Sequence, residues 1–514
     1  MHGCARLDRQ VIRRAFFFTA VFFFCAHLYR FCTLGFTHDS LLLDQSQNAA
    51  FQLALGRFMQ PLYWQIRGDI VVPFLIGLLA YAFLALSIVL MASLLRIRST
   101  LSIALACMVL SVNATVSIGN ATYISWADVY MLALFFSTLS VYLFCRFRFG
   151  FLASPFLLCA SLGLYQSYLQ TAILLYLMVL VHKVLDKASV HSVFCAGIAM
   201  VAQLLAGLLL YAFVFPRVLA HAGIGIASTY NGLSGVGDFT GVSLFSLVRE
   251  AYVYPFQSAL HPQTHLPALA ALLYALLFAV TAIVLALLAR SHALPASSLG
   301  MIVLLLAFMP LGANITYVIS KGMMHVLMCY SFFLFFLFPI SLAERLQARH
   351  FTSARTMRAI LTVTFSTLYL CNVVFANQLY LRRDLEMQST LSLMSRVIDR
   401  IEQTEGYVPG ETPVAFIGTL FDSPLAMARP GFEHLSGLMG SNNLYAITSE
   451  DYFPWYIQQV LGYPMQILSE PDRVQMAFRE DILAMPIFPE DGCCQMIDGT
   501  LVIRLGGRSV LPEE

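Results

Sequence analysis

A histidine and two carboxylates stand in the short stretch THDSLLLDQ, at His38, Asp39 and Asp44, just after an apolar run that ends near residue 34. A charge at the edge of a hydrocarbon layer is costly unless it has a partner or a task. Asp39 is therefore a candidate base, and hydration in a loop is its plainer reading. Asp44 follows five positions later; at about 100° per residue a helix would turn it roughly 140° away, so the two are not expected to act as a close pair. Arg57 in LGRFMQP, Arg249 and Lys321 lie beside apolar runs. Each can hold a phosphate through charge-assisted hydrogen bonds or snorkel to lipid headgroups. Arg67 reads the same way. Asp128 opens an apolar run after NATYISW, where a carboxylate also suits the helix dipole. Tyr165 and Gln166 in YQSYLQ line a cavity or anchor an interface. His325, close to Lys321, is a structural hydrogen-bonder or a site residue.

The elements that must position these residues are set by composition. The 514 residues are 59% hydrophobic and 11% charged, with 41 Phe and 21 Met, and the mean hydropathy is +0.76. Soluble domains carry about 25% charged residues, so the fold class is an α-helical polytopic membrane protein. A helix crossing about 30 Å of hydrocarbon needs roughly 20 apolar residues. About 11 transmembrane helices are expected, at 15–34, 70–95, 101–119, 127–145, 151–164, 169–181, 190–214, 267–289, 296–314, 325–343 and 359–376. With the N-terminus inside, the inner segments hold fifteen Lys and Arg and the outer loops five, as the positive-inside rule requires. The start of the chain is basic and then apolar, but no small-residue cleavage site closes it convincingly, so the first span is read as uncleaved.

Three outer regions exceed simple turns: 35–69, 215–266 and everything after 376. The first mixes apolar residues with amides, which suits short helices along an interface. The second opens on the glycine-rich HAGIGIASTYNGLSGVGDFTG and turns helical near VSLFSLVREAYVY. No strand precedes those glycines and no Lys-Ser or Lys-Thr follows, so they do not read as a nucleotide loop. After 376 charges and prolines return. RRDLEMQSTLSLMSRVIDRIEQ has the pattern of an amphipathic helix, TPVAFIGTL that of a buried strand, and CCQMIDGTLVIRLG that of a hairpin turning at Asp498-Gly499. The expected division is 1–376 as a transmembrane body with outer loops 35–69 and 215–266, and 377–514 as a small C-terminal α/β extracytoplasmic domain. None of the 11 cysteines has zinc-like spacing. Basic residues form no aromatic-interleaved run, so no nucleic acid is expected.

No run carries regularly spaced buried charges of the kind a proton relay needs, and the polar residues gather at one face. Surface chemistry is thus favoured over transport. THDSLLLDQ with LGRFMQPL, YISWADVYMLALFFS, LGLYQSYLQ and the tail from NQLYLRRDLEMQ to PVAFIG together resemble the Gtr type II family of membrane glucosyltransferases, within the GT-C-like integral-membrane glycosyltransferases. In that family the first loop often shows two consecutive acids and then Gly-Arg. Here His38 takes the first place, Asp39 the second, and Gly56-Arg57 is intact. The departure tells against a two-carboxylate site and against a bound divalent metal, so no cofactor or metal is expected. The resemblance implies transfer of a hexose from a polyprenyl-phosphate sugar donor to a lipid-linked or surface glycan acceptor such as O-antigen, at the outer face of a bacterial inner membrane. It makes Asp39 the catalytic base and His38, Asp44, Arg57, Asp128, Tyr165, Gln166, Arg249, Lys321 and His325 the substrate-binding set, with membrane lipid as the surrounding partner. A flippase or a polymerase for lipid-linked saccharides is the alternative; polymerases usually carry arginine-rich outer loops, whereas 215–266 holds only Arg217 and Arg249.

Overall fold

The computed structural model describes all residues except 1–6, 228–240, 242, 349–351, 422–424, 426, 434, 436, 437 and 508–514. The glycine-rich run in the second long loop falls mostly outside the described residues. The chain divides into two units. One holds Met1–Cys32, Gln45–Asn120 and Ile124–Asn377; the other holds Thr33–Asp44, Ala121–Tyr123 and Gln378–Glu514.

The first unit is helical. Among the described residues nine helices are long and apolar enough to cross a membrane, or ten when Thr100–Ser111 and Ala114–Thr122, bent by 43° at their junction, form one span. The run read at 151–164 is the 15-residue helix Gly150–Leu164, about 22 Å at 1.5 Å per residue and shorter than the hydrocarbon thickness. The last apolar run does not stop at 376. It continues into the amphipathic stretch as one helix, Thr352–Glu402, of 51 residues, because no glycine or proline interrupts it.

Apolar burial gives little drive to pair helices in lipid, so small polar residues matter. The hydroxyls of Ser140 and Ser161 donate to the carbonyls of Ser154 and Ala133, each at 2.7 Å, and these join Ala127–Arg146 to Gly150–Leu164. Gln203 on Val190–Ala222 accepts from the Tyr176 hydroxyl at 2.8 Å and donates to Ser140 at 3.0 Å. The loop between the first two spans folds into short pieces. These include a 3-10 turn at His38–Ser40 and helices Ala49–Ala54 and Met59–Arg67. Asp39 and Asp44 therefore do not share an α-helix, and the helical angle expected between them does not apply. The second long loop is helical over Leu244–Leu260.

The second unit is built on a four-stranded sheet in the order β2-β1-β4-β3, with β1 Pro413–Ile417, β2 Gln466–Ile467, β3 Cys494–Ile497 and β4 Thr500–Arg504. β1 runs parallel to β2 and β4, and β3 is antiparallel to β4. The β3–β4 hairpin turns at Asp498 and Gly499, both with positive φ (48° and 78°), as a two-residue primed turn requires. Side chains alternate across the strands. Val414 and Phe416 pack with Leu393, Val397 and Ile401, one stripe of the long helix. Ala415 and Ile417 pack with Ala477, Ile482 and Met485 on the opposite face. Both faces of β1 are thereby covered, as its uninterrupted apolar sequence demands.

Candidate functional site

The second unit brings His38 and Asp39 together. Thr37 fixes the turn that presents them: its hydroxyl donates to the Thr122 carbonyl at 2.6 Å, and its backbone N–H donates to the Ser40 hydroxyl at 2.8 Å. His38 Nε2 then lies 3.4 Å from Asp39 Oδ2, with side-chain exposures of 13% and 38%. The imidazole meets the Tyr452 and Tyr123 rings edge-on, at centroid distances of 5.6 and 6.4 Å. Gly440 makes room for it: a Cβ there would fall 2.3 Å from His38 Nδ1. Burial pushes the His38 pKa below its ordinary value, the Asp39 carboxylate opposes that shift, and the Arg383 guanidinium adds to it. His38 is thus neutral at pH 7. Its Nδ1 has no hydrogen-bond partner among the described residues.

Behind this pair lies a buried charge cluster that sequence reasoning did not single out. Arg382 Nε donates to Glu386 Oε1 at 2.9 Å, and Arg383 Nη1 lies 3.4 Å from Glu386 Oε2. Glu386 and Arg383 are fully buried. The i, i+4 spacing of Arg and Glu in RRDLE was the available signal. Burial of the pair was not legible, because it depends on loop residues about fifty positions later, such as Leu435, whose carbonyl accepts from Arg382 at 2.6 Å, and Asn443, whose N–H reaches Glu386 at 3.1 Å. Asp44 is half-buried at the end of the same segment.

The first unit holds two further groups. Arg57 stacks over the Tyr165 ring at 5.1 Å, a cation–π contact, and donates to Gln52 at 3.0 Å. Gln166 donates to the Leu55 carbonyl at 2.8 Å. The Tyr211 hydroxyl donates to the Gly56 carbonyl at 3.0 Å. Gly56 has φ +77°, and a Cβ there would lie 2.3 Å from the Tyr211 oxygen, so glycine is required just before Arg57. Arg57, Tyr165 and Gln166 therefore form one cluster.

Asp128 belongs elsewhere in this unit. It is buried and paired with Arg67 at 2.9 Å, while the Tyr63 hydroxyl donates to its other oxygen at 2.8 Å. Burial and the Asp128 carboxylate push the Tyr63 phenol well up, so it stays a donor. Close by, the Trp126 indole donates to Gln60 at 3.0 Å, and Gln60 donates to the Leu164 carbonyl at 2.7 Å. Both Asp128 oxygens are occupied from within the protein, which makes the residue a lock between the first loop and the Ala127–Arg146 helix.

The remaining candidates, Arg249, Lys321 and His325, belong to the first unit. Arg249 is two-thirds exposed and 4.0 Å from Glu250. Lys321 is half-buried with a left-handed φ of 55°. His325 Nδ1 accepts from the Leu327 N–H at 3.2 Å and so starts the Val326–Met328 turn. Among the described residues no group of three or more His, Cys, Asp or Glu is placed to hold a metal ion.

Comparison with known proteins gives one informative match. The family described as glucosyl transferase GtrII matches residues 28–338. No curated protein and no solved structure matches the chain.

Proposed function

Because the chain belongs to the GtrII glucosyl transferase family, we propose that it moves a hexose, with glucose the first to test, from a polyprenyl-phosphate sugar to a surface glycan such as O-antigen. Residues 1–376 act as a GT-C-like membrane body of about eleven crossings, counting the bent pair and Gly150–Leu164. The N-terminus lies in the cytoplasm of a bacterial cell, and residues 377–514 lie in the periplasm. The excess of Lys and Arg on the inner segments supports that orientation.

The observation that carries this reading is the part-exposed Asp39 carboxylate beside a largely covered, neutral His38. In an inverting transfer the acceptor hydroxyl oxygen attacks the anomeric carbon as Asp39 takes its proton. The bond from that carbon to the phosphate oxygen breaks, and the phosphate departs with the electron pair. Phosphate is a good leaving group, so the chemistry needs no metal. It does need a cation as charge gathers on the departing oxygen, and Arg57, Arg249 and Lys321 are assigned that role. Tyr165, Gln166, Asp44 and His325 are assigned to hold sugar hydroxyls, and Asp128 to fix the first loop.

Full-length protein in membranes, supplied with a polyprenyl-phosphate hexose and a lipid-linked glycan, tests the reading. Asp39→Asn is expected to abolish transfer while the protein stays inserted and abundant. Undiminished transfer by that variant removes Asp39 from the chemistry. A wild-type protein that moves a labelled saccharide across the bilayer without forming a glycosidic bond removes the transferase reading altogether.

A further inference from the structure

A cavity of about 690 Å³ opens inside the first unit, lined by parts of Leu244–Leu260, Pro267–Ser291, Ala296–Ala313 and the segment 324–336. None of the chemistry assigned above uses it. Its long axis follows from helix geometry. Tyr274 and Phe278 on its wall lie seven and eleven residues into the helix that starts at Pro267, so the wall reaches about 16 Å below that end at 1.5 Å per residue. Leu306, Met309, Pro310 and Ala313 also line it. That i, i+3, i+4, i+7 spacing is one face of one helix, which runs to the same end of the unit as residue 267 because the two helices are joined at their far ends by a short connection.

The lining is graded. Deep in the cavity it is aromatic and aliphatic: Phe278, Phe333, Phe336 and Leu306. At the mouth it is polar, with Gln257, Ser258, His261 and Gln263 on the turn between two helices. A much smaller apolar cavity already takes up an apolar guest, and this one falls within the usual range of about 300–1,000 Å³ for small-molecule sites. An amphiphile with one polar end matches the gradient. Met324, which also lines the cavity, follows Lys321 by three residues.

The geometry points to this cavity as the seat of the hydrocarbon chain of the lipid-linked sugar donor, with its first few isoprene units among Phe278, Leu306, Phe333 and Phe336 and its phosphate end at the polar Gln257–Gln263 turn. The assignment rests on the donor reading above and adds to it a place for the lipid and a reason for chain-length dependence. A branched, unsaturated chain offers flat faces to aromatic walls, and its methyl groups fill a width that a single straight acyl chain leaves open.

The test uses full-length protein in nanodiscs of phosphatidylethanolamine and phosphatidylglycerol. A polyprenyl phosphate with a diazirine on its third isoprene is photolysed in them, and the adducts are mapped by peptide mass spectrometry. Adducts in 306–313 and 329–336, displaced by unlabelled polyprenyl phosphate, are expected. Adducts confined to other helices overturn the assignment, and so does equal labelling of these segments by a diazirine phosphatidylethanolamine. Kinetics give a second measure. Leu306 is half-buried, so Leu306→Trp adds bulk within the cavity. Its ratio of KM for a long-chain donor to KM for a two-isoprene donor is expected to rise about tenfold, the equivalent of roughly two buried methylenes. An unchanged ratio in a folded variant counts against the site. Wild-type transfer from a polyprenyl donor with adducts elsewhere sinks the cavity assignment alone, whereas no transfer from any polyprenyl donor sinks the reading beneath it.

Discussion

His38 and Asp39 are neighbours in the chain with opposite surroundings: Nε2 and Oδ2 approach to 3.4 Å, yet the histidine side chain is 13% exposed and the aspartate 38%. The turn at Thr37 sends one inward against Tyr452 and Tyr123 and leaves the other toward water. The role proposed for Asp39, a base that meets an incoming hydroxyl, needs that access.

Acid should weaken the fold through His38. Its pKa lies below 6.5 in the folded protein, chiefly through burial, against Asp39 and with Arg383, and is near 6.5 when unfolded. The unfolded chain therefore binds more protons between the two values, and stability falls as pH drops below about 6.5. Above both values the contribution is constant. Thermal midpoints of wild type and His38→Gln, compared from pH 8 to pH 5, should converge as pH falls, because the variant lacks the penalty. Parallel curves across that range would remove His38 as the cause. The groups facing it are Asp39, Arg383, Tyr123 and Tyr452.

Gly440→Ala should act on the same pair from the other side. The residue has φ +70°, and the added methyl carbon would sit 2.3 Å from His38 Nδ1. Backbone strain and the clash together should displace the imidazole. Transfer is expected to fall by about tenfold or more, about 1.4 kcal/mol in barrier, with expression little changed. Retained activity and an unchanged His38 NMR signal would show that the ring can move aside without consequence.

Much of the architecture was legible because its signals are local. Apolar length marked the spans, and the strand at Pro413–Ile417 and the turn at Asp498-Gly499 declared themselves by β-branched residues and by the Asp-Gly pair. That one helix, Thr352–Glu402, runs through residue 376 was not legible for a physical reason: a change from apolar to amphipathic composition alters what surrounds a helix and does not end it. Arg57, Tyr165 and Gln166 were each singled out, but not as a group, because what brings Gln166 to the Gly56-Arg57 turn is the distant Tyr211. Tyr123 and Tyr452 beside His38 were not legible, since edge-on ring contacts between residues 85 and 414 positions apart leave no spacing in the sequence. Asp128 shows the same limit. A carboxylate at a helix start read equally as a partner of the helix dipole and as a substrate contact, and only the fold reveals Arg67 and Tyr63 upon it.

That lock gives a stability prediction. Asp128 and Arg67 are 0% and 1% exposed, so removing either charge alone leaves the other buried and unpaired. Asp128→Asn and Arg67→Met should each cost about 3–5 kcal/mol. The double variant should recover part of that loss, and unfolding of detergent-solubilised protein can measure the cycle. Additive losses would mean that the two side chains do not depend on each other.

The buried triad of Arg382, Arg383 and Glu386 makes a sharper case, because one carboxylate serves two guanidinium groups. Glu386 also accepts from the Asn443 N–H at 3.1 Å, which ties the long helix to the loop that carries Gly440. Glu386→Gln keeps the shape and removes the only carboxylate of the triad. Two buried cations then face each other, and the loss should be about 3–5 kcal/mol or more. Arg383 also bears on His38. A variant with both Glu386→Gln and Arg383→Met should therefore regain stability over Glu386→Gln alone, while its His38 pKa, followed by NMR titration, rises toward 6.5. If stability returns and that pKa stays where it was, burial alone sets the histidine and the arginine beside it is structural.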